Sequence, residues 1–95
     1  MGRISEAEIA TALDDRADWQ RNGDAIVRTV DCGDFVGAVE FVNRIVPVAE
    51  AANHHPDLAI SWKNVTVKLS THSEGGLTEK DFALAREIDS LAAID

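Results

Sequence analysis

Apolar residues along this chain switch between two periods, and the switches mark its elements. Ser5 followed by Glu8 has capping-box spacing, and Ile4, Ile9 and Leu13 supply the apolar anchors of a short helix over about residues 5 to 15. Trp19 to Arg21, then Asn22-Gly23, then Ala25 to Val30 reads as a β-hairpin, because Asn-Gly supplies the positive φ angles of a tight turn. From Asp34 to about Asn53 the spacing becomes helical. Phe35, Val39, Val42, Val46 and Ala49 form one stripe, and Ala38, Phe41, Ile45 and Val48 lie beside it. So wide an apolar sector predicts a second buried surface, in an oligomer or against a partner. Pro47 cannot donate to the carbonyl of Asn43 and predicts a kink or a break.

Strict alternation returns after Pro56. Leu58, Ile60 and Trp62, then Val65, Val67, Leu69 and Thr71, alternate with mostly polar neighbours, which predicts two strands joined at Lys63-Asn64. Thr78 with Asp81 three residues on opens a last helix, whose buried face is Phe82, Ala85, Ile88, Leu91 and Ala92, ending near Ala93. The order is αββαββα. Strands joined by tight turns and separated by helices imply an α+β fold: an antiparallel four-stranded sheet with three helices packed on one face.

Composition narrows the function classes. Ninety-five residues, 45% apolar and without repeats or a Pro/Gly/Ser-rich linker, fit a single domain over residues 1 to 95. Nine basic against seventeen acidic residues give a net charge of −8, which argues against phosphate backbones and anionic membrane surfaces as direct ligands. No run is long and apolar enough to span a membrane, and the first residues lack the apolar stretch of a secretory signal, so a cytoplasmic protein is expected. Cys32, the single cysteine, can form neither an internal disulfide nor a thiolate metal site, and reads as a packing residue.

All three histidines fall within 19 residues, at His54, His55 and His72. Histidine gives and takes protons near neutral pH, so such a cluster points to acid–base work on a small molecule. Surface or capping histidines are the plain alternative. Zinc fits poorly, because adjacent residues in extended chain point to opposite sides and no His-Glu-x-x-His spacing occurs. No metal is therefore expected. Glu50 and Asp81 can orient histidines or simply serve as a solvated and a capping carboxylate. Gly75-Gly76 reads as a turn before a phosphate cradle, and Trp19 and Trp62 as core or groove walls on strands.

The set Glu50-x-x-x-His54-His55-Pro56, Trp62 six residues later, His72 ten further and Asp81 nine beyond resembles the pterin-4a-carbinolamine dehydratase family, a match at seven positions over 32 residues. The αββαββα order and the Ser70-Thr71-His72 segment with its following Gly-Gly resemble it too; Pro47 departs from its pattern. The resemblance implies a lyase that removes water from a 4a-hydroxytetrahydropterin, such as 4a-hydroxytetrahydrobiopterin, to give quinonoid dihydropterin in pterin recycling. Histidines share the acid and base roles without metal or cofactor. It implies His54, His55 and His72 as catalytic residues; Glu50, His54, His55, Pro56, Trp62, Thr71, His72, Ser73 and Glu74 as substrate contacts; and Asp81 as support. It implies a homodimer or homotetramer. Its other face is non-catalytic, as a dimerisation cofactor of a transcription factor or an assembly factor, and that role would use the apolar helix around Phe35 to Val48.

Overall fold

Both capping signals take effect. In the computed structural model, which describes residues 2 to 93, Ser5 caps α1 (Glu6–Asp14) and Thr78 caps α3 (Glu79–Ala92), each in a capping box closed by Glu8 and by Asp81 respectively. The two ends of the expected domain, residue 1 and residues 94 and 95, lie outside the described residues. Between these helices run β1 (Gln20–Asn22), β2 (Ala25–Asp31), α2 (Phe35–Ala52), β3 (Asp57–Ser61) and β4 (Asn64–Leu69). The expected αββαββα order holds, as does the antiparallel four-stranded sheet, in which the strands lie in the order β1-β2-β4-β3. A single 3-10 turn at His72–Glu74 adds to it.

Alternation decides which face of the sheet is covered. Val65, Val67 and Leu69 of β4 are fully buried, while Lys68 between them is exposed. Against that inner face lie Ala38, Phe41, Ile45 and Ala49 of α2 and Phe82, Leu84, Ala85 and Ile88 of α3, with Ile9 of α1. Phe41 is 1% exposed, so its truncation to alanine would cost about 3 to 5 kcal/mol. The outer stripe of α2 stays uncovered: Phe35, Val36, Val39 and Val46 are all exposed. No helix among the described residues is long and apolar enough to cross a membrane.

Three local expectations are corrected. Pro47 does not break α2, which runs continuously from Phe35 to Ala52. Pro47 and Asn43 are both exposed, so the carbonyl deprived of its donor lies on the solvent side while Phe41, Ile45 and Ala49 hold the other side to the core. Both hairpin turns also lie one residue from their expected places. Asn22 pairs with Ala25, leaving Gly23-Asp24 as the turn, with φ +62° at Gly23. Ser61 pairs with Asn64, which puts the second turn at Trp62-Lys63. Burial of Val65, Val67 and Leu69 fixes the register of β4, and that register forces Trp62 out of the strand into a φ of +53°. Lastly, β4 ends at Leu69 rather than alternating on to His72: the chain turns back at Gly75, φ +72°, and Thr71 bridges to Gly76.

Candidate active site

The end of α2 aims the first histidine. Asn53 takes the left-handed conformation that asparagine tolerates, donating its N–H to the Glu50 carbonyl, and His54 donates its own N–H to the Ala49 carbonyl, both at 3.1 Å. This reversal folds the His54 ring inward while leaving His55 outside. The expected opposition of the two adjacent rings is realised: His54 is buried and His55 exposed.

Across from His54, the N-terminus of α3 presents Asp81, which is 0% exposed. His54 Nε2 lies 2.6 Å from Asp81 Oδ1. The other carboxylate oxygen, Oδ2, accepts from the Thr78 backbone N–H at 2.9 Å and from the Thr71 hydroxyl at 2.8 Å. With the Thr71 proton committed to Asp81, the Thr78 hydroxyl donates to Thr71 Oγ1, 2.8 Å away, and accepts from the Lys80 N–H at 3.3 Å. Oδ2 is thus filled by two donors, and Oδ1 is the acceptor left for the ring. It therefore takes the Nε2 proton of His54 as a hydrogen bond and leaves Nδ1 as the ring's free nitrogen. Asp81 thus fills both roles read from the sequence, capping α3 and steadying a histidine.

A second pair has the same length and another setting. His55 Nε2 and Glu50 Oε2 are also 2.6 Å apart, but their side chains are 59% and 68% exposed. His72 is exposed as well, at the start of the 3-10 turn and next in chain to Thr71. Its loop is tied down by Thr71–Gly76 hydrogen bonds in both directions and by Gly75 N–H to the His72 carbonyl. Gly75, with φ +72°, takes the left-handed conformation of this turn, while a Cβ at Gly76 would meet only the flexible, exposed side chain of Arg3, 2.8 Å from its Cδ. The glycine pair is therefore a turn, as expected.

Two open clefts border these groups. One, of about 490 Å³, is lined by His54 with Val48, Leu84, Glu87 and Lys80; the other, of about 670 Å³, by Thr71, Ser73, Glu74, Thr78 and again Lys80. Lys80 was not singled out from the sequence, although a cation in the first turn of a helix runs against the helix dipole and is a signal. Pro56 is half-buried directly after His55. Trp62 is not brought to the histidines by its own chain. It is 67% exposed at the far tip of the β3–β4 hairpin, with Lys63 Nζ 4.8 Å from its ring centroid, so the expectation of a strand position is corrected. Trp19 is a core residue, its Nε1 donating to Asp89 Oδ1 at 2.8 Å. Cys32 is half-buried beside the Val30 carbonyl, and burial raises its thiol pKa, as does the neighbouring Asp31.

Comparison with known proteins extends this picture over the whole chain. The family model described as pterin 4 alpha carbinolamine dehydratase matches residues 2–91. A protein of Nocardia farcinica provisionally named pterin-4-alpha-carbinolamine dehydratase is 54% identical over 89 residues, covering 94% of each chain. One of the same provisional name from Thermosynechococcus vestitus is 48% identical over 92 residues, covering 97% of each. Among solved structures, a transcriptional coactivator/pterin dehydratase from Brucella melitensis superposes with a TM-score of 0.92 at 35% identity, over 97% of this chain and all of that one. A pterin dehydratase-like RuBisCO assembly factor of the alpha-carboxysome shares the fold, with a TM-score of 0.66 at 19% identity over 81% of this chain and 89% of that one.

Proposed function

Since the chain belongs to the pterin-4a-carbinolamine dehydratase family, we propose that it removes water from a 4a-hydroxytetrahydropterin, 4a-hydroxytetrahydrobiopterin or a close relative, to give the quinonoid dihydropterin. The reaction breaks the C4a–O bond, whose electron pair leaves on oxygen. That oxygen takes a proton to depart as water, and N5 gives up its own proton as its lone pair forms the C4a=N5 bond. One acid and one base are therefore enough.

The observation that carries this reading is the His54–Asp81 contact inside a buried network. With Nε2–H held on the carboxylate, Nδ1 of His54 is the proton acceptor for N5, and Asp81 stabilises the imidazolium that forms. His72, on the tied-down turn beside Thr71, protonates the leaving hydroxyl. His55, held by Glu50 at the rim, orients the substrate together with Pro56, Thr71, Ser73 and Glu74. A neutral pterin needs no bulk charge for recognition, consistent with the net charge of −8.

A scaffold role is the second reading, favoured by the uncovered α2 stripe of Phe35, Val36, Val39 and Val46. The same stripe supports assembly into a homodimer or homotetramer. Phe41 cannot report on such a contact, because it belongs to the core; Val39 and Val46 can. Turnover of a 4a-hydroxytetrahydropterin by purified protein, followed by absorbance, supports the enzyme. Absence of turnover together with stoichiometric co-purification of a protein partner supports the scaffold.

A further inference from the structure

The chain contains two capping boxes, and one of them is built beyond what capping needs. In α1 the box is plain: Ser5 N–H donates to Glu8 Oε1 at 2.9 Å, Glu8 N–H donates to Ser5 Oγ at 3.1 Å, and both residues are exposed. In α3 the box is closed off from solvent. Thr78 is 5% exposed and Asp81 0%, and each carries a further bond that does nothing for the helix end. The Thr78 hydroxyl goes on to Thr71 Oγ1, and Asp81 goes on to Thr71 and to His54.

Counting protons fixes the direction of this chain. Asp81 Oδ2 takes the Thr71 proton at 2.8 Å, so Thr71 Oγ1 has only lone pairs left to offer and takes the Thr78 proton, also at 2.8 Å. The Thr78 oxygen in turn accepts from the Lys80 N–H. Thr71 is 5% exposed and His54 9%, so solvent is poorly placed to replace a missing link, and each bond strengthens the next. Without the Thr78 hydroxyl, the Thr71 oxygen would lose the donor that holds it, and its proton would be less firmly kept on Asp81.

The two histidines assigned as base and acid meet at this chain from different elements. Asp81 holds the His54 ring, which arrives from the end of α2. Thr71 precedes His72 and closes its turn: Thr71 N–H donates to the Gly76 carbonyl, and the Glu74 and Gly76 N–H groups donate to the Thr71 carbonyl. The Thr71–Asp81 hydrogen bond therefore ties the His72 turn to the partner of His54. Thr78 bonds to neither histidine, yet it clamps that tie from behind. We propose that Thr78 is a positioning residue for the reaction, which holds the Thr71 proton on Asp81 and so keeps the His54 ring and the His72 turn in register with each other. The inference rests on the dehydratase reading for its reaction. Two proton transfers at neighbouring atoms of one ring need their acid and base at a fixed separation, so slack in the tie costs rate rather than substrate affinity. Thr71 then has two tasks, lining the cleft and holding Asp81 through its hydroxyl.

Glycine and serine separate this role from capping, because both are accepted at a helix N-cap and only serine keeps a hydroxyl. Thr78→Gly should lower kcat about tenfold with KM within about twofold of wild type, and Thr78→Ser should restore most of the loss. In a His54→Ala background the same Thr78→Gly change should lower kcat by less than about twofold, since the separation it maintains has lost one end. Unchanged kcat in Thr78→Gly, equal losses in the glycine and serine variants, or the full loss again in the His54→Ala background overturns the proposal. Thr71→Val cuts the same tie and should reproduce the kcat loss; it stands in where Thr78→Gly does not fold, and normal turnover in it overturns the proposal as well. Proton NMR of nitrogen-labelled protein reads the ring without turnover. The His54 Nε2 proton should give a slowly exchanging downfield signal in wild type and Thr78→Ser that broadens or vanishes in Thr78→Gly, and its persistence there would again overturn the clamp. Loss of that signal in Thr78→Gly, from a wild type that does not turn over a 4a-hydroxytetrahydropterin, removes the dehydratase reading and leaves the hold of Thr78 on the His54 ring standing.

Discussion

Two histidine–carboxylate pairs of equal length stand at the two sides of one helix end, and their surroundings set them apart. His54–Asp81 and His55–Glu50 are each 2.6 Å apart, but Asp81 is closed off from solvent and bonded on both oxygens, while Glu50 has only His55 and water. Distance alone therefore says little about worth. In the buried pair, loss of one partner strands desolvated groups; in the exposed pair, water replaces whatever is lost.

Removing each carboxylate gives the largest contrast. Asp81→Ala leaves His54, Thr71 and the Thr78 N–H without their acceptor and should lower unfolding stability by about 3 to 5 kcal/mol, whereas Glu50→Ala should cost less than about 1 kcal/mol; urea titration reads both. Equal losses would erase the distinction. Removing the exposed rings comes next: His72→Ala should lower kcat by roughly 10²-fold as a lost acid, and His55→Ala by less, with the thermal midpoint unmoved in either variant. Thr71→Val, which keeps shape and removes the donor to Asp81, should cost about 1 to 3 kcal/mol by the same titration.

The smallest effect concerns the first helix. The Ser5 backbone N–H, and then its side chain, hold the Glu8 carboxyl below its ordinary pKa. A depressed folded-state value means that the contribution is present above the ordinary carboxylate range and is lost as pH falls through the folded value. The gap in thermal midpoint between wild type and Glu8→Ala should therefore be open at pH 7 and close on acidification below about pH 4.

Much of this fold is legible in the chain because burial here follows period. The caps at Ser5 and Thr78, the alternation of Val65, Val67 and Leu69 and the inner stripe of α2 all act locally and agree with the packed result. Pro47 leaves α2 continuous, against the expected kink or break, because its cost depends on where the freed carbonyl points, which is a tertiary fact. The Trp62 turn was misplaced because the strand register is settled by the buried face of β4 and not by turn propensity. At the site, spacing put His54 among the catalytic candidates and Asp81 among the residues able to orient a histidine, without pairing the two. It left Thr78 as only a cap and passed over Lys80, since the hydroxyl chain from Thr78 through Thr71 to Asp81 joins residues that only folding brings within 3 Å.

The central claim is that His54, fixed by the buried Asp81, takes the proton whose loss completes dehydration. Single-turnover dehydration of a 4a-hydroxytetrahydropterin by His54→Ala tests it most directly, with circular dichroism confirming the fold. The account predicts a first-order rate at least about 10²-fold below wild type. A folded His54→Ala protein whose rate stays within a few-fold of wild type would contradict it, and would make the buried pair a structural fastening only.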